Sequence, residues 1–342
     1  MRSMQVLKTM AMAMAMAIVI LTATGLMAAE HHAQHGDHGH QMTPEQMKEL
    51  RAKIPLYDAY TDEQIMAGMS RMKNLWGWMG DGTRSGGTGV LGLAHGFKEP
   101  GNTQFREAYT GVGETHPSTY AVGMAMMTSE HIQSALDALE DAGADTIVVI
   151  PTTTADHSTL TRQWDYIFGK RDDSAYLDVP RVETDAQLVW TPTPTQHPIV
   201  AEIMLNYAQE LSTDPANEVV IILGHGPQSK EDNDKELAIL SRHAAFIKQE
   251  GGFADVIFGN VQDDAPTEVR AQNVATLRAQ AQAAIDSGHR VIAVHTSLTQ
   301  SGVVKRLDRD INDLAAFNNK GLMQHPRFAD WIDEVVTSSV AD

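Results

Sequence analysis

The segment VVIILGHGPQS, residues 219–229, decides the fold. A run of apolar residues leads directly into a Gly-His-Gly triplet centred on His225, so a buried strand is predicted to end in an imidazole between two glycines. The segment GVLGLAHGFKE, residues 89–99, repeats the arrangement, because His95 also precedes a glycine. Helices and further apolar strands alternate after each segment, which predicts an α/β protein with parallel sheets covered by helices.

The alternation occurs twice and indicates a duplication. The turn and strand in DAGADTIVVIP match those in DSGHRVIAVHT of the second half. We therefore expect a first domain over residues 81–212 and a second over residues 213–342. A helical extension precedes them at residues 43–80, where Thr43 begins one helix and methionines at helical spacing predict another over residues 61–79. This methionine stripe is interpreted as core, with a soft-metal site as the alternative.

Residues 1–29 have the composition of a secretory signal peptide. Arg2 and Lys8 give a positive start, an uncharged apolar stretch follows, and Ala28 and Ala29 provide small residues for cleavage. We expect a periplasmic or secreted protein with no stable membrane insertion after cleavage. The alternative is an uncleaved anchor helix, because the apolar run approaches spanning length.

A histidine-rich segment follows at residues 30–42. It shows no apolar period, which indicates a flexible tail. Its histidines are His31, His32, His35, His38 and His40. Because clustered imidazoles bind Zn, Ni, Co or Cu ions, we expect the tail to collect metal ions loosely. A solubilising linker is the alternative.

The composition excludes several function classes. The sequence has 26 basic and 44 acidic residues and a net charge of -18. Nucleic acid is not expected as a partner, because phosphate binding needs clustered positive charge. The absence of cysteine excludes disulfides, thioether-linked haem and cysteine-ligated iron–sulfur clusters. A bound metal must therefore take histidine, carboxylate or methionine ligands.

Four histidines are predicted near the carboxyl ends of strands. His95 and His225 each end the first strand of a half, His157 follows the strand TIVVIP, and His295 ends the strand RVIAVH. Ligands of open parallel sheets bind at this edge. The four imidazoles are therefore candidate ligands for a divalent ion such as Co²⁺, Ni²⁺, Fe²⁺ or Zn²⁺. A hydrogen bond from each histidine to the backbone is the structural alternative.

The same segments resemble the CbiX-type sirohydrochlorin cobaltochelatases of the class II chelatase superfamily. The resemblance extends over about residues 88–330 and rests on VVIILGHGPQS, the helix after DDAP, IAVHTSLTQSG, VLGLAHGF, SEHIQSALDALEDAGA and TIVVIPTTTADHS. It implies two flavodoxin-like domains that face each other across a cleft. It also implies insertion of a divalent metal, cobalt before nickel or iron, into a sirohydrochlorin-like tetrapyrrole, as in cobalamin biosynthesis.

The resemblance also implies roles for individual histidines. In the family, one histidine follows the first strand and a second lies in the loop after the fourth strand. His95 and His157 match these positions and are expected to hold the metal together. His225 matches the first position in the second half and is expected to face the metal across the cleft. His95 and His225 are thus the candidate catalytic residues, because a neutral imidazole can hold an ion or accept a proton near pH 7.

The second half departs from the family pattern. His295 stands where the family often has proline, and the later histidine position is occupied by Ser301 or Val303. The second site is therefore expected to be degenerate.

The sequence offers several candidates for the charged side chains that contact the substrate. Sirohydrochlorin carries many carboxylates, so cationic side chains are expected in its pocket. The candidates are Lys98, Arg106 and Lys230, with surface charge as the alternative. A proton-accepting carboxylate stays open among Glu99, Glu114 and Glu130.

If the protein is exported, two functions from different classes remain open. The first is an exported enzyme, a chelatase that acts on a tetrapyrrole outside the cytoplasm. The second is a non-catalytic periplasmic metal- or haem-binding protein that reuses the chelatase fold, since fold alone does not decide function.

Overall fold

The computed structural model describes residues 42–69, 73–80, 82–125 and 127–340. The predicted signal peptide and residues 30–41 of the histidine-rich tail lie outside these ranges. The described residues belong to one compact unit. Within these ranges, no helix has both the length and the apolar character needed to cross a bilayer.

The strands of the described residues form two sheets. They are β1 (Leu75–Trp78), β2 (Thr88–Ala94), β3 (Ser118–Val122), β4 (Thr146–Pro151), β5 (Gln187–Trp190), β6 (Glu218–Gly224), β7 (Asp255–Asn260), β8 (Arg290–His295) and β9 (Ala316–Phe317).

Helices precede, connect and follow these strands. They are α1 (Pro44–Lys53), α2 (Asp62–Met69), α3 (Gly101–Ala108), α4 (Thr110–Thr115), α5 (Glu130–Asp141), α6 (Thr159–Ile167), α7 (Pro198–Leu211), α8 (Lys230–Gly251), α9 (Thr267–Asp286), α10 (Gly302–Ile311) and α11 (Pro326–Val340). Short 3-10 turns occupy Pro55–Ala59, Pro194–Gln196, Pro215–Asn217 and Leu322–Gln324.

The two sheets share one strand order. The first runs β1-β3-β2-β4-β5 and the second runs β7-β6-β8-β9. All pairings are parallel except that of β1 with β3. When the antiparallel edge strand β1 of the first sheet is left out and the remaining strands are numbered along the chain within each half, both sheets have the order 2-1-3-4. This is the order of a flavodoxin-like sheet, whose ligand site lies between its first and third strands. The predicted duplicated α/β fold is confirmed.

One apolar core lies between the sheets and joins the halves. It contains Val90 and Val148 of the first sheet together with Val220 and Ile292 of the second. Two further clusters bury the opposite sheet faces, one against α5 and α6 and the other against α9 and α10. Each sheet is therefore covered on both faces, which explains why its central strands are apolar throughout.

Two helices absent from the sequence analysis connect the halves. Helix α7 packs against α8 and β8, and its Tyr207 hydroxyl donates a hydrogen bond to the carbonyl of Gly321 (3.0 Å). Helix α11, at the end of the chain, packs against α3 and α4 of the first half. The division of the chain at residue 212 stays a prediction.

The N-terminal extension differs from its predicted form. Helix α1 begins as predicted, with a capping box in which Thr43 and Gln46 exchange hydrogen bonds. The predicted helix over residues 61–79 is present at Asp62–Met69 but wrong at Leu75–Trp78, which form edge strand β1. The aromatic residues of LWGW pair with β3 and pack against the outer face of the first sheet. Sheet pairing thus overrides the apparent helical period.

Candidate metal centre between the two sheets

A cavity of about 530 Å³ lies between the two halves. Its lining includes His95 and Gly96 after β2, His225 and Gly226 after β6, and the loop after β4. The volume falls in the range of about 300–1,000 Å³ typical of small-molecule sites. The carboxyl edges of both sheets therefore face one ligand-sized space.

His95 and His225 have equivalent surroundings. The Nδ1–H of His225 donates to the carbonyl of Gly226 (3.0 Å), and the ring of His95 hydrogen-bonds the backbone of Gly96. In each residue one ring nitrogen is thus bonded to the following glycine. The tautomer of His225 is fixed with a free lone pair on Nε2.

The glycines beside these histidines are required by the backbone. Gly96 and Gly226 have φ angles of 90° and 74°, a left-handed conformation that L side chains rarely adopt. A Cβ atom at Gly226 would lie 2.5 Å from Cβ of Asn260, and one at Gly224 would lie 1.9 Å from Oδ1 of the same residue. The Gly-His-Gly triplet therefore allows the sharp turn that brings the imidazole back onto its own backbone.

The two imidazoles share an acidic neighbour, Asp264. Burial lowers the pKa of His95, opposed by the charge of Asp264 and the backbone of Gly96 and assisted by His225. Oδ2 of Asp264 lies 3.8 Å from Nε2 of His225. The mutual influence of the two histidines places them in one electrostatic environment, with Asp264 as the nearest acidic partner.

His157 is held by the other half of the molecule. Its Nδ1 lies 2.9 Å from Oε1 of Glu236 in α8, and its backbone N–H donates to the same oxygen (2.8 Å). Burial raises the pKa of Glu236, against the effect of these hydrogen bonds. His157 is not itself a lining residue, but its neighbours Ala155 and Ser158 and its partner Glu236 line the cavity.

This contact gives His157 a geometry common among metal-binding histidines. Such residues usually donate one ring N–H to a carboxylate or carbonyl, which orients the ring and leaves the other nitrogen for the ion. With Nδ1 directed to Glu236, Nε2 of His157 is the nitrogen left for a ligand.

His295 lies in different surroundings. It is the last residue of β8, pairs in register with Leu223, and is 2% exposed. Its Nδ1 accepts a hydrogen bond from the backbone N–H of Ser297 (3.2 Å), so the proton resides on Nε2, which is buried with no hydrogen-bond partner. Burial lowers its pKa to about 4. The structure therefore separates this ring from the cavity, which is lined instead by residues that follow it, among them Thr296, Ser297 and Leu298.

The described residues hold no group of three or more His, Asp or Glu side chains arranged to bind a metal ion together. The structure brings His95 and His225 to one cavity, places His157 at its border, and buries His295 in the second sheet. Within the described residues, the arrangement offers an ion two imidazoles that line one cavity rather than a closed coordination shell.

The cationic residues of the cavity differ partly from those predicted. Lys98 lines the cavity, and Arg306 of α10 lines it from the second half. The other two predicted cations do not line the cavity. Arg106 lies 3.8 Å from Glu99, and Lys230 lies 2.6 Å from Asp234.

Several lining residues were missed by the sequence analysis. Ile54, Leu56 and Tyr57 of the N-terminal extension line the cavity, together with Tyr176 from the loop after α6. No strand-end signal marks these positions, because Ile54, Leu56 and Tyr57 reach the cavity through packing of the extension and Tyr176 lies in a loop that follows a helix. Their apolar and aromatic character was the only available signal.

Comparison with known proteins supports the fold. No protein-family model matches the sequence, and no curated protein is significantly similar to it. Among solved structures, SirB from Bacillus subtilis with Fe³⁺ aligns with a TM-score of 0.54 and 14% identity, over 74% of this chain and 95% of SirB. The sirohydrochlorin chelatase SirB of subspecies spizizenii, in complex with cobalt, gives a TM-score of 0.49 and 11% identity over 74% of this chain and 95% of its own.

A third solved structure is a multi-domain Deinococcus radiodurans protein described as structurally similar to chelatases. It aligns with a TM-score of 0.44 and 16% identity, over 73% of this chain and 55% of its own. The two sheets of this chain match each other in strand order, apart from edge strand β1. The alignment with SirB shows that the chain has the fold of SirB.

Proposed function

We propose that this protein is a chelatase that inserts a divalent metal ion into a sirohydrochlorin-like tetrapyrrole. The observation that carries the proposal is the pair His95 and His225, which occupy equivalent strand ends and face one cavity of about 530 Å³. The likeness to SirB supports this class of reaction at the level of the fold.

The reaction requires a base and a temporary metal site. A tetrapyrrole gives up two ring N–H protons, and its four nitrogens bind the ion, so one M²⁺ enters as two H⁺ leave. Neutral imidazoles can accept such protons near pH 7. Burial, which lowers the pKa of His95, keeps this residue neutral and therefore able to act.

Weak coordination is suited to a metal ion that is a substrate. A closed shell of four protein ligands would hold the ion in place, as in structural metal sites. Two imidazoles in one cavity, with His157 oriented by Glu236 at the border, leave coordination positions for the macrocycle nitrogens. Imidazole suits Co²⁺, Ni²⁺, Fe²⁺ and Zn²⁺, and we propose Co²⁺ as the first choice.

The cavity walls match a flat macrocycle with acidic side chains. Met124, Leu160 and Tyr176 offer apolar and aromatic surface to a conjugated ring. Lys98 and Arg306 offer positive charge to peripheral carboxylates, and Arg306 is already bonded to Asp263 (2.5 Å). The guanidinium is thereby held in place at the cavity.

The proposal includes export and metal collection. Residues 1–29 act as a signal peptide, so the protein works in the periplasm or outside the cell, and the histidines of residues 30–42 gather metal ions for the cleft. Deleting residues 30–42 tests the second point: insertion should persist at saturating metal and decline at limiting metal. Equal activity at limiting metal would contradict a collecting role.

An absorbance assay tests the function itself. Purified protein is mixed with sirohydrochlorin and Co²⁺, Ni²⁺ or Fe²⁺, and the spectral change of the metallated product is followed against a protein-free reaction. The proposal requires a faster change with protein for at least one ion. Tight binding of metal or macrocycle without any acceleration would instead identify the non-catalytic binding protein.

A further inference from the structure

The N-terminal extension is packed firmly onto the first half. Met47, Leu50 and Ile65 of the extension are buried in one apolar cluster with Met124 and Leu177. A polar link adds to this contact, because Nζ of Lys53 donates to Oγ of Ser174 (2.8 Å). The extension is therefore a fixed part of the molecule, and Met124 belongs both to its core and to the cavity lining.

The turn that carries Tyr57 is fastened by one arginine. The guanidinium of Arg51 donates to the backbone carbonyls of Tyr57 and Tyr60 and to Oδ1 of Asp62 (2.6 Å). These bonds join α1, the 3-10 turn and α2 at one point. The backbone of Tyr57 consequently has a defined position above the cavity, which it lines together with Ile54 and Leu56.

Tyr57 lines the cavity together with Asp264 of the second half. Burial raises the pKa of Tyr57 to about 12, with a further contribution from the charge of Asp264. Burial also raises the pKa of Tyr176, and the charges of Asp264 and Tyr57 contribute to that shift as well. The two phenols, the carboxylate of Asp264 and the imidazole of His225 all line the same cavity.

These contacts assign a role to the extension, and the assignment rests on the proposed chelatase function. We infer that residues 44–69 form a substrate-binding wall and that the ring of Tyr57 packs against the face of the bound tetrapyrrole, positioning it beneath His95 and His225. The wall supplies the apolar face, and the imidazoles approach from the strand ends. Tyr57 is thus a positioning residue for the macrocycle and has no contact with the metal ion.

Binding of metal-free sirohydrochlorin by the full-length protein tests the inference without requiring turnover. The change Tyr57→Ala removes the aromatic face and should raise the Kd about tenfold, the size expected for loss of one aromatic contact with its buried area. Tyr57→Phe keeps the ring and should restore the Kd to within about twofold of wild type. Affinity for Co²⁺ alone, measured by calorimetry, should be the same in all three proteins.

Tyr60→Ala is the matched control, because Tyr60 lies in the same extension but is 44% exposed. It should bind the macrocycle as wild type does, and thermal unfolding should show that every variant is folded. If Tyr57→Ala binds the macrocycle with the affinity of the wild type, the proposed substrate-binding wall is refuted and the chelatase proposal is unaffected. Failure of the wild type to bind any sirohydrochlorin would refute both.

Discussion

Nδ1 of His157, in the loop after β4, lies 2.9 Å from Oε1 of Glu236, in the first helix of the second half. A second pair reinforces this contact, because the guanidinium of Arg162 bonds both carboxylate oxygens of Asp232 on the same helix (3.2 and 2.9 Å). The loop that carries one candidate ligand is therefore fastened to the opposite half. Cleft geometry and ligand orientation depend on the same few hydrogen bonds.

Glu236→Ala should lower the free energy of unfolding by about 1–3 kcal/mol, because it leaves the backbone N–H and Nδ1–H of His157 without their acceptor. Glu236→Gln keeps an oxygen acceptor and should recover part of this loss. Urea unfolding at pH 7 measures both. Glu250→Ala, an exposed change on the same helix, should remain within about 0.5 kcal/mol of wild type. Equal effects of Glu236→Ala and Glu250→Ala would refute the bridging role of Glu236.

Gly226→Ala should be more destabilising than Gly288→Ala. Both glycines have positive φ, so both variants incur the backbone penalty of about 1 kcal/mol for a left-handed residue. Only at Gly226 does the new Cβ meet a neighbour, Asn260, at 2.5 Å, whereas Gly288 has open space around it. Urea unfolding should show an additional loss of about 1–3 kcal/mol for Gly226→Ala. Equal losses would mean that the turn beside His225 tolerates a side chain.

Buried His131 should make the protein less stable in mild acid. Burial lowers its pKa to about 4, whereas the unfolded chain titrates near 6.5. The unfolded state therefore binds the proton more tightly, so this contribution to stability is complete above about pH 6.5 and is lost as the pH falls towards 4. Between pH 7 and pH 5 the loss from His131 alone should be about 2 kcal/mol.

His131→Leu should remove this part of the pH dependence. Nδ1 of His131 is buried without a hydrogen-bond partner, so replacing the imidazole with the leucine side chain removes no hydrogen bond at Nδ1. Part of the acid loss should remain, because the pKa of buried His295 is lowered to about 4 as well. Urea unfolding at pH 7 and pH 5 gives the comparison, with His116→Leu as a partly exposed control. An unchanged pH dependence in His131→Leu would contradict the assignment.

Local sequence patterns were sufficient to predict the positions of His95 and His225. Each imidazole ends a continuous apolar strand and is followed by a glycine that the structure holds at positive φ. A parallel sheet brings such strand ends to one edge, so the prediction followed from topology. His157 could be predicted as a loop residue, but its partner Glu236 is 79 positions away, and no local pattern indicates that contact.

The rest of the site depends on packing that the sequence does not display. His295 looks like a strand-end histidine, yet as the last paired residue of β8 it is enclosed by the sheet. The LWGW segment has apolar residues compatible with a helix, and pairing with β3 makes it a strand. Tyr57 reaches the cavity only because α1 and α2 are buried against Met124 and Leu177.

Metal insertion by His95→Ala and His225→Ala tests the central claim most directly. The assay follows the absorbance of sirohydrochlorin with Co²⁺, with folding checked by thermal unfolding and with His116→Ala as the control outside the cavity. The account predicts that each cavity variant loses insertion activity by about 100-fold or more, the usual size for loss of a catalytic acid or base, while His116→Ala keeps wild-type activity. Wild-type rates of insertion in folded His95→Ala and His225→Ala would contradict it.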